Sequence, residues 1–299
     1  MSWLFSTAVE LRERASEAAL SVPGFLVARE ASQSGRPEEA VRVEIGQRIR
    51  ITRHSLEAGL AKPQASFSGL TSGAAVKFAA RGTEAATAAV RDPLFRLAIA
   101  YSLAVNEVNA CGGRIVAFPT AGSSGVVPGV LWAYRDAARP GLDADSREFQ
   151  DAFVMASAVG IVIANRATLA GAAGGCQAEC GAAAAMAAAG LLALEGAGAE
   201  DCFDAAALSL KNCLGLACDP IAGLVEVPCV KRNAFMAANA LTAVSLAEAG
   251  IRSAVPFDEV VSAMKAIGDS MPAALRESAL GGLATTPTGL AFKEKIERG

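Results

Sequence analysis

One histidine in 299 residues, His54, is the first thing this chain is short of. One imidazole is few for an enzyme that needs a base, and His54 falls in an N-terminal helical stretch with no motif around it, so no catalytic role is assigned to it. Charge of one sign is also missing: 27 Lys and Arg stand against 30 Asp and Glu, a net of −3, and no basic run exceeds a few residues. That leaves no electrostatic footprint for nucleic acid. An uninterrupted apolar span is absent as well. Mean hydropathy is +0.36, yet the longest uncharged run, Ile115 to Tyr134, carries Pro119, Pro128, Thr120, Ser123, Ser124 and glycines at 122, 125 and 129. A membrane helix reads as a continuous run of Leu, Ile and Val with charged flanks. The apolar excess is mostly alanine, which suits closely packed buried helices and no membrane. No export signal is expected either, because Met1-Ser2-Trp3-Leu4-Phe5 has no basic segment before it. Seven cysteines (111, 176, 180, 202, 213, 218, 229) in such a chain point to a reducing, cytoplasmic setting, where they are thiols or metal ligands.

What is present reads as helix. Apolar residues at three and four spacing run over Ala8 to Ala19 and Pro37 to Leu60. From Ser66 the composition turns to Ser, Thr and Gly, and Ser66-Phe67-Ser68-Gly69-Leu70-Thr71-Ser72-Gly73 feeds a helix toward Lys77, a form that offers N–H donors to an anion such as a carboxylate. Asp92-Pro93 marks a helix start that runs to about Ala110 and stops at Gly112-Gly113. After a short extended segment, Pro119-Thr120-Ala121-Gly122-Ser123-Ser124-Gly125 forms a hydroxyl-rich loop, with a helix starting near Val126. It lacks the Lys-Ser/Thr pair of a phosphate loop, although it suits a small carboxylate or ammonium group. Arg135 to Arg147 reads as a polar surface loop. Helices are then expected from about Asp145 to Asn165, Ala182 to Leu194, Asp201 to about Leu216, Asn233 to Ala249 and Asp258 to Ile267, ending at Gly268, with loop chemistry over Gly281 to Gly289. No repeat, linker or run of alternating strands interrupts this. The expectation is an all-α protein in which an N-terminal helical segment (residues 1–62) packs on a catalytic domain (residues 63–299).

Within that frame Cys176, Cys218 and Cys229 each lie at a Gly or Pro break: Gly174-Gly175-Cys176-Gln177, Ala217-Cys218-Asp219-Pro220 and Val227-Pro228-Cys229. Such breaks let backbone wrap a bulky group and aim N–H donors at it. Thiolates select zinc, copper(I) or iron–sulfur clusters. Cys180, four residues after Cys176, could join the other three in a Cys₄ zinc site or a fully ligated cluster. A three-ligand cluster would instead leave one iron open as a Lewis acid. Cys111, Cys202 and Cys213 read as small buried residues on helix bodies and ends.

Longer matches carry a family resemblance. Asn106-Glu107-Val108-Asn109-Ala110, Pro119-Thr120-Ala121-Gly122-Ser123, Gly171-Ala172-Ala173-Gly174-Gly175-Cys176-Gln177-Ala178-Glu179, the whole of Cys218 to Cys229, Lys231-Arg232-Asn233-Ala234, Met271-Pro272 and Gly281 to Gly289 take part. Over nearly everything from Ser66 to Gly289 the chain resembles the alpha chain of bacterial iron–sulfur-dependent L-serine dehydratase (L-serine ammonia-lyase) in its two-subunit form. The resemblance implies that Cys176, Cys218 and Cys229 hold a [4Fe–4S] cluster whose remaining iron takes substrate, and that Cys180 is no family ligand. It implies β-elimination of water from L-serine, giving pyruvate and ammonia in serine catabolism, without pyridoxal phosphate. It also implies a heteromer with a beta chain, because the family's Ser-Ser-Ser-His-Thr segment is absent here. Ser68, Thr71, Thr120, Gly122, Ser123, Arg232 and Asn233 are the candidates for gripping substrate. One departure is visible: the family's Thr-Gly-Gly-Asp-Ala is Thr71-Ser72-Gly73-Ala74-Ala75 in this chain.

Other readings stay in play at the level of sequence. A pyridoxal-phosphate lyase would need a lysine segment such as Lys77-Phe78-Ala79-Ala80-Arg81, but the spacing is too long and no glycine-rich phosphate loop follows. A cluster-dependent L-cysteine desulfidase would use the same open iron with a thiol as leaving group. A non-catalytic iron–sulfur subunit is compatible with the altered Ser72-Gly73-Ala74 segment.

Overall fold

Alanine sets the packing distances in this protein. The computed structural model describes residues 3–82 and 91–298, so Met1-Ser2 of the opening stretch lies outside it. The described residues form thirteen α-helices: α1 Ala8–Glu17, α2 Val22–Ser34, α3 Glu38–Ala61, α4 Ala74–Ala80, α5 Pro93–Ala110, α6 Val126–Ala137, α7 Arg147–Arg166, α8 Gly171–Gly174, α9 Ala182–Leu194, α10 Ala199–Lys211, α11 Cys229–Glu248, α12 Phe257–Ser270 and α13 Pro287–Arg298. Among the described residues β structure is limited to two isolated bridges, Ala65 with Ser72 and Cys218 with Arg276. The all-α expectation therefore holds.

Helix α9 is the axis. Its residues from Ala182 to Leu192 are all buried, and α6, α7, α10 and α11 pack around it. A helix apolar on every side has to sit at the centre, and methyl side chains let its neighbours come close. At Gly190 even a methyl would not fit, since an added Cβ would lie 2.8 Å from the Ala152 carbonyl on α7. The stretch Gln177–Leu194 is the one segment of the described residues long and apolar enough to cross a bilayer, and 89% of it is buried inside the protein.

The N-terminal helices share this core. Phe5, Leu11 and Phe25 belong to the same buried cluster as Phe149, Met155 and Ala185. Helix α2 packs on α7, and α3 packs on α5. Polar ties from α6 brace both of these helices: Trp132 Nε1 donates to Thr52 Oγ1 on α3 at 2.9 Å, while Asp136 accepts from Arg53 on α3 at 2.5 Å and from the Tyr101 hydroxyl on α5 at 2.9 Å. Burial raises the Asp136 carboxyl, but Arg53, Arg135 and Tyr101 outweigh it and hold the group below its ordinary value.

Several boundaries differ from the sequence expectation. Helix α2 was not anticipated; Ser21 caps it by accepting from the Gly24 N–H. Asp201 does not cap α10 but lies in its first turn after Gly198, and that helix ends at Lys211 rather than near Leu216. Cys213 consequently lies in the turn beyond the helix. Gly268 does not end α12, which continues to Ser270. The stretch expected to be loop through Gly289 already contains the start of α13, because Pro287 at a first helical position supports a helix as well as a turn. Asp92 caps α5 as expected, accepting from the Phe95 N–H at 2.7 Å.

The α3–α5 crossing is tight enough to test. An added Cβ at Gly59 would lie 2.3 Å from the Ala104 carbonyl oxygen, whereas at Gly141 it would meet nothing within 4 Å. Gly59→Ala is expected to destabilise the fold by about 1–3 kcal/mol, and Gly141→Ala to change it by less than about 0.5 kcal/mol, both read from urea denaturation midpoints. Equal midpoints for the two variants would contradict this packing.

Candidate active site

Two backbone crossings bring distant cysteines together. Gly175, at φ +72°, passes with its α-carbon facing the Leu216 carbonyl and Met271, and an added Cβ would lie 2.9 Å from that oxygen. The crossing is pinned by the Gln177 N–H to Leu216 carbonyl bond at 3.1 Å. The fully buried Gln177 side chain extends the tie, donating to the Met264 carbonyl and accepting from the Gly215 N–H, each at 2.9 Å. On the other side, Cys218 donates its N–H to Leu275 at 2.8 Å and accepts from the Glu277 N–H at 2.7 Å. Cys176, Cys180 and Cys218 thereby form one buried cluster beside Leu216 and Met236.

The third expected ligand, Cys229, does not sit before a helix as the sequence suggested; it is the first residue of α11. It stands outside that trio but close enough for charge on Cys176 to act on it, and burial first, then that charge, pushes its thiol up to about 12. Cys176 is the thiol favoured as thiolate: hydrogen bonds from Cys180 and Cys218 lower it, and the Arg232 guanidinium adds to them. Cys180 and Cys218 move the opposite way, each raised mainly by its bond to Cys176. Arg232 is fixed by donation to the Ala217 carbonyl at 2.9 Å and by Asp219 at 3.5 Å. All seven cysteines are free thiols.

Two carboxylates adjoin the thiols. Glu179, Cys218 and Glu277 have ligating atoms within 4.8 Å of one another. Glu179 accepts from Thr120 Oγ1 at 2.9 Å and from the Cys218 thiol at 3.5 Å. Burial, reinforced by charge on Cys176, pushes its carboxyl up to about 7. Sequence reading passed over Glu179 although it stands inside the quoted cysteine motif; a carboxylate in an otherwise alanine- and glycine-rich run was the available signal.

The expected substrate-gripping residues divide into two groups. Thr120 reaches the thiols through Glu179 and shares a 3.1 Å bond with Ser123 Oγ. The Gly122 carbonyl accepts from Asn106 at 3.0 Å and Asn233 at 2.8 Å. Asn233 is fully buried, and its amide also donates to the Cys229 carbonyl at 2.8 Å and accepts from the Gly125 N–H at 3.0 Å. It joins the hydroxyl loop to the Cys229 turn. Ser68 is tied at 2.8 Å to Glu226, which also accepts from Ser66 at 2.5 Å. Thr71 is buried with no hydrogen-bond partner for its hydroxyl among the described residues. Among the described residues neither Ser68 nor Thr71 bonds to a thiol; Glu226, three residues before Cys229, holds Ser68 directly and Thr71 only through Ser66, whose hydroxyl accepts from the Thr71 N–H at 3.2 Å.

One expectation is corrected. The N-terminus of α4 does not await an outside anion: the Glu107 carboxylate already accepts from the N–H groups of Ala74 and Ala75, at 2.6 and 3.0 Å. The neutral Ala74 meets this buried carboxylate at the helix end. His54 is exposed on α3, in a groove with Arg48, Arg50 and Arg114.

Thiols from three segments around one guanidinium are a donor set for a thiophilic metal group, and they fit an iron–sulfur cluster. The family model described as serine dehydratase alpha chain matches residues 17–284. The chain belongs to that family. The family relationship extends through individual relatives. The probable L-serine dehydratase alpha chain of Bacillus subtilis is 44% identical over 294 residues, covering 98% of this chain and 95% of that one. The L-serine dehydratase alpha chain of Peptoniphilus asaccharolyticus is 40% identical over 297 residues, covering 99% and 98%. The L-serine dehydratase of Streptomyces coelicolor is 34% identical over 288 residues, which are 95% of this chain but 61% of that protein.

The Asn233 junction gives a stability prediction. Asn233→Ala strands the buried Gly125 N–H and leaves the Gly122 carbonyl with Asn106 alone, and should cost about 1–3 kcal/mol in chemical denaturation. A loss within about 0.5 kcal/mol would show that the loop is held by other contacts.

Proposed function

We propose that this chain is the cluster-bearing alpha subunit of an L-serine dehydratase, a lyase converting L-serine to pyruvate and ammonia. The observation that carries the reading is the buried packing of Cys176 against Cys218, with Arg232 fastened to the Ala217 carbonyl beside Cys218 and its charge acting on Cys176 and Cys229, in a chain matched almost end to end by relatives named for that activity. The three cysteines would hold a [4Fe–4S] cluster, which when bound supplies Lewis-acid assistance to departure of the substrate hydroxyl. Free thiols throughout fit a cytoplasmic setting.

The chain's own residues would orient the substrate. Thr120 and Ser123 place hydroxyls at the entrance of α6, and Glu179 fixes the Thr120 hydroxyl by accepting its hydrogen bond. The Arg232 guanidinium, held by Ala217 and Asp219, sets a positive charge beside the thiols for an anionic substrate group. Gly122 and Asn233 hold this loop against the Cys229 turn, while Ser68 and Thr71 form the wall that Glu226 attaches to the same segment. In the net reaction the α-proton and β-hydroxyl leave as water, the enamine tautomerises to an imine, and hydrolysis releases ammonia.

A base for the α-proton would come from a beta chain. The only histidine of this chain is exposed on α3. The Streptomyces coelicolor relative contains a further part with no counterpart here, since only 61% of it is matched. In this division residues 1–62 form a helical segment packed on the catalytic part.

Anaerobic reconstitution with iron and sulfide tests the reading. About four irons per chain are expected, lost in Cys218→Ala, with pyruvate formed from L-serine only after the beta chain is added. Zinc in place of iron, or full turnover by the single chain, would count against it.

A further inference from the structure

Cys180 is the thiol that this reaction leaves unemployed. Two other buried cysteines show what an idle thiol does in this fold. Cys202 points to the Ala197 carbonyl at 3.9 Å and Cys213 to the Ser209 carbonyl at 3.6 Å, bonds to nearby backbone typical of a small buried residue. Cys180 instead packs against Cys176 and Cys218, and its polar partner is the Cys176 thiol. Charge on Cys229 and Glu179 reaches it as well. Its buried packing puts it beside two of the proposed ligands, Cys176 and Cys218.

Its placement follows from a local departure from α geometry. Residues Gln177–Gly181 form a π-helical turn ahead of α9, with the Gly181 N–H bonded to the Cys176 carbonyl at 3.2 Å. Turns of this kind inside helices recur at functional sites because they re-aim side chains. Here the turn keeps both cysteines of one helical entrance on the side of Cys218. A lone buried thiolate in this position would be costly, and a metal group bound there would compensate it.

We infer that Cys180 is a fourth, exchangeable thiolate for the proposed cluster, capping in the substrate-free enzyme the iron that L-serine uses. The inference rests on the [4Fe–4S] reading above. When substrate enters, one metal–thiolate bond breaks; it reforms as product leaves. A substrate oxygen takes the vacated position on that iron, so no electron moves. An iron without a protein ligand is the one most readily lost to oxidants, so the same thiol protects the resting site.

The test uses iron-57-reconstituted full-length chain with its beta chain, held anaerobically. In the unaltered protein, Mössbauer spectra without L-serine should show cluster irons that are all sulfur-ligated, and L-serine should make one of them distinct. In Cys180→Ala that distinct iron should be present before L-serine is added. Its conversion to a [3Fe–4S] signal in electron paramagnetic resonance on exposure to ferricyanide should be at least about tenfold faster. A distinct iron in the substrate-free unaltered protein would overturn the inference without any variant. Identical spectra and oxidation rates for the two proteins would do so too. If neither protein takes up iron, the cluster reading itself fails, and this result is separable from the others by metal analysis alone.

Discussion

Arg232 facing the Cys176 thiol is the interaction on which the site depends. Buried thiolates are unfavourable unless a positive charge or a metal compensates them. The cation here cannot swing away, because Ala217 and Asp219 hold its guanidinium from the strand of chain that also carries Cys218. Asp219 in turn accepts from the Leu283 N–H at 2.8 Å, which fastens the segment ahead of α13 to the same point. Positive charge, one cysteine and a distant segment of chain are thus positioned by one short run of residues.

The alanine-rich core is what lets such a site be rigid. Side chains of a methyl group allow α7, α10 and α11 to approach α9 closely, and they have no rotamers to rearrange. The π-helical turn that carries Cys180 leads directly into this helix, so the thiols are built on the least deformable part of the molecule. The hydroxyl loop before α6 is fastened at the Gly122 carbonyl by Asn106 on α5 and Asn233 on α11, and Asn233 also takes the Gly125 N–H. Preorganisation of this kind lowers the cost of orienting a small substrate.

Much of the fold was legible because it obeys period and punctuation. Helix α9 was readable to the residue from its alanine-rich run, and α5 from Asp92-Pro93. Helix α2 escaped because Pro23 and Gly24 at its start look like a break, although proline is at home in a first turn. The grouping of Cys176 with Cys218 could be inferred from motif matches but not from spacing, since it depends on the Gly175 crossing with Leu216. The role of Glu107 was hidden for a similar reason: a carboxylate on one helix and the amide donors of α4 are far apart in sequence, and only the packing of α4 on α5 joins them.

That last contact bears on the place where the chain departs from its family's usual motif. With Glu107 fully buried and bonded to two N–H groups of α4, an additional acidic residue at position 74 would put two carboxylates at one helix end. Ala74 leaves Glu107 as the carboxylate bonded at this helix end, and Gly73, at φ +65° with Pro63 where a side chain would be, lets the chain turn into the helix. The loop that carries Ser68 and Thr71 is then held from two directions, by Glu107 behind and Glu226 in front. Its shape is consequently held by the protein's own carboxylates.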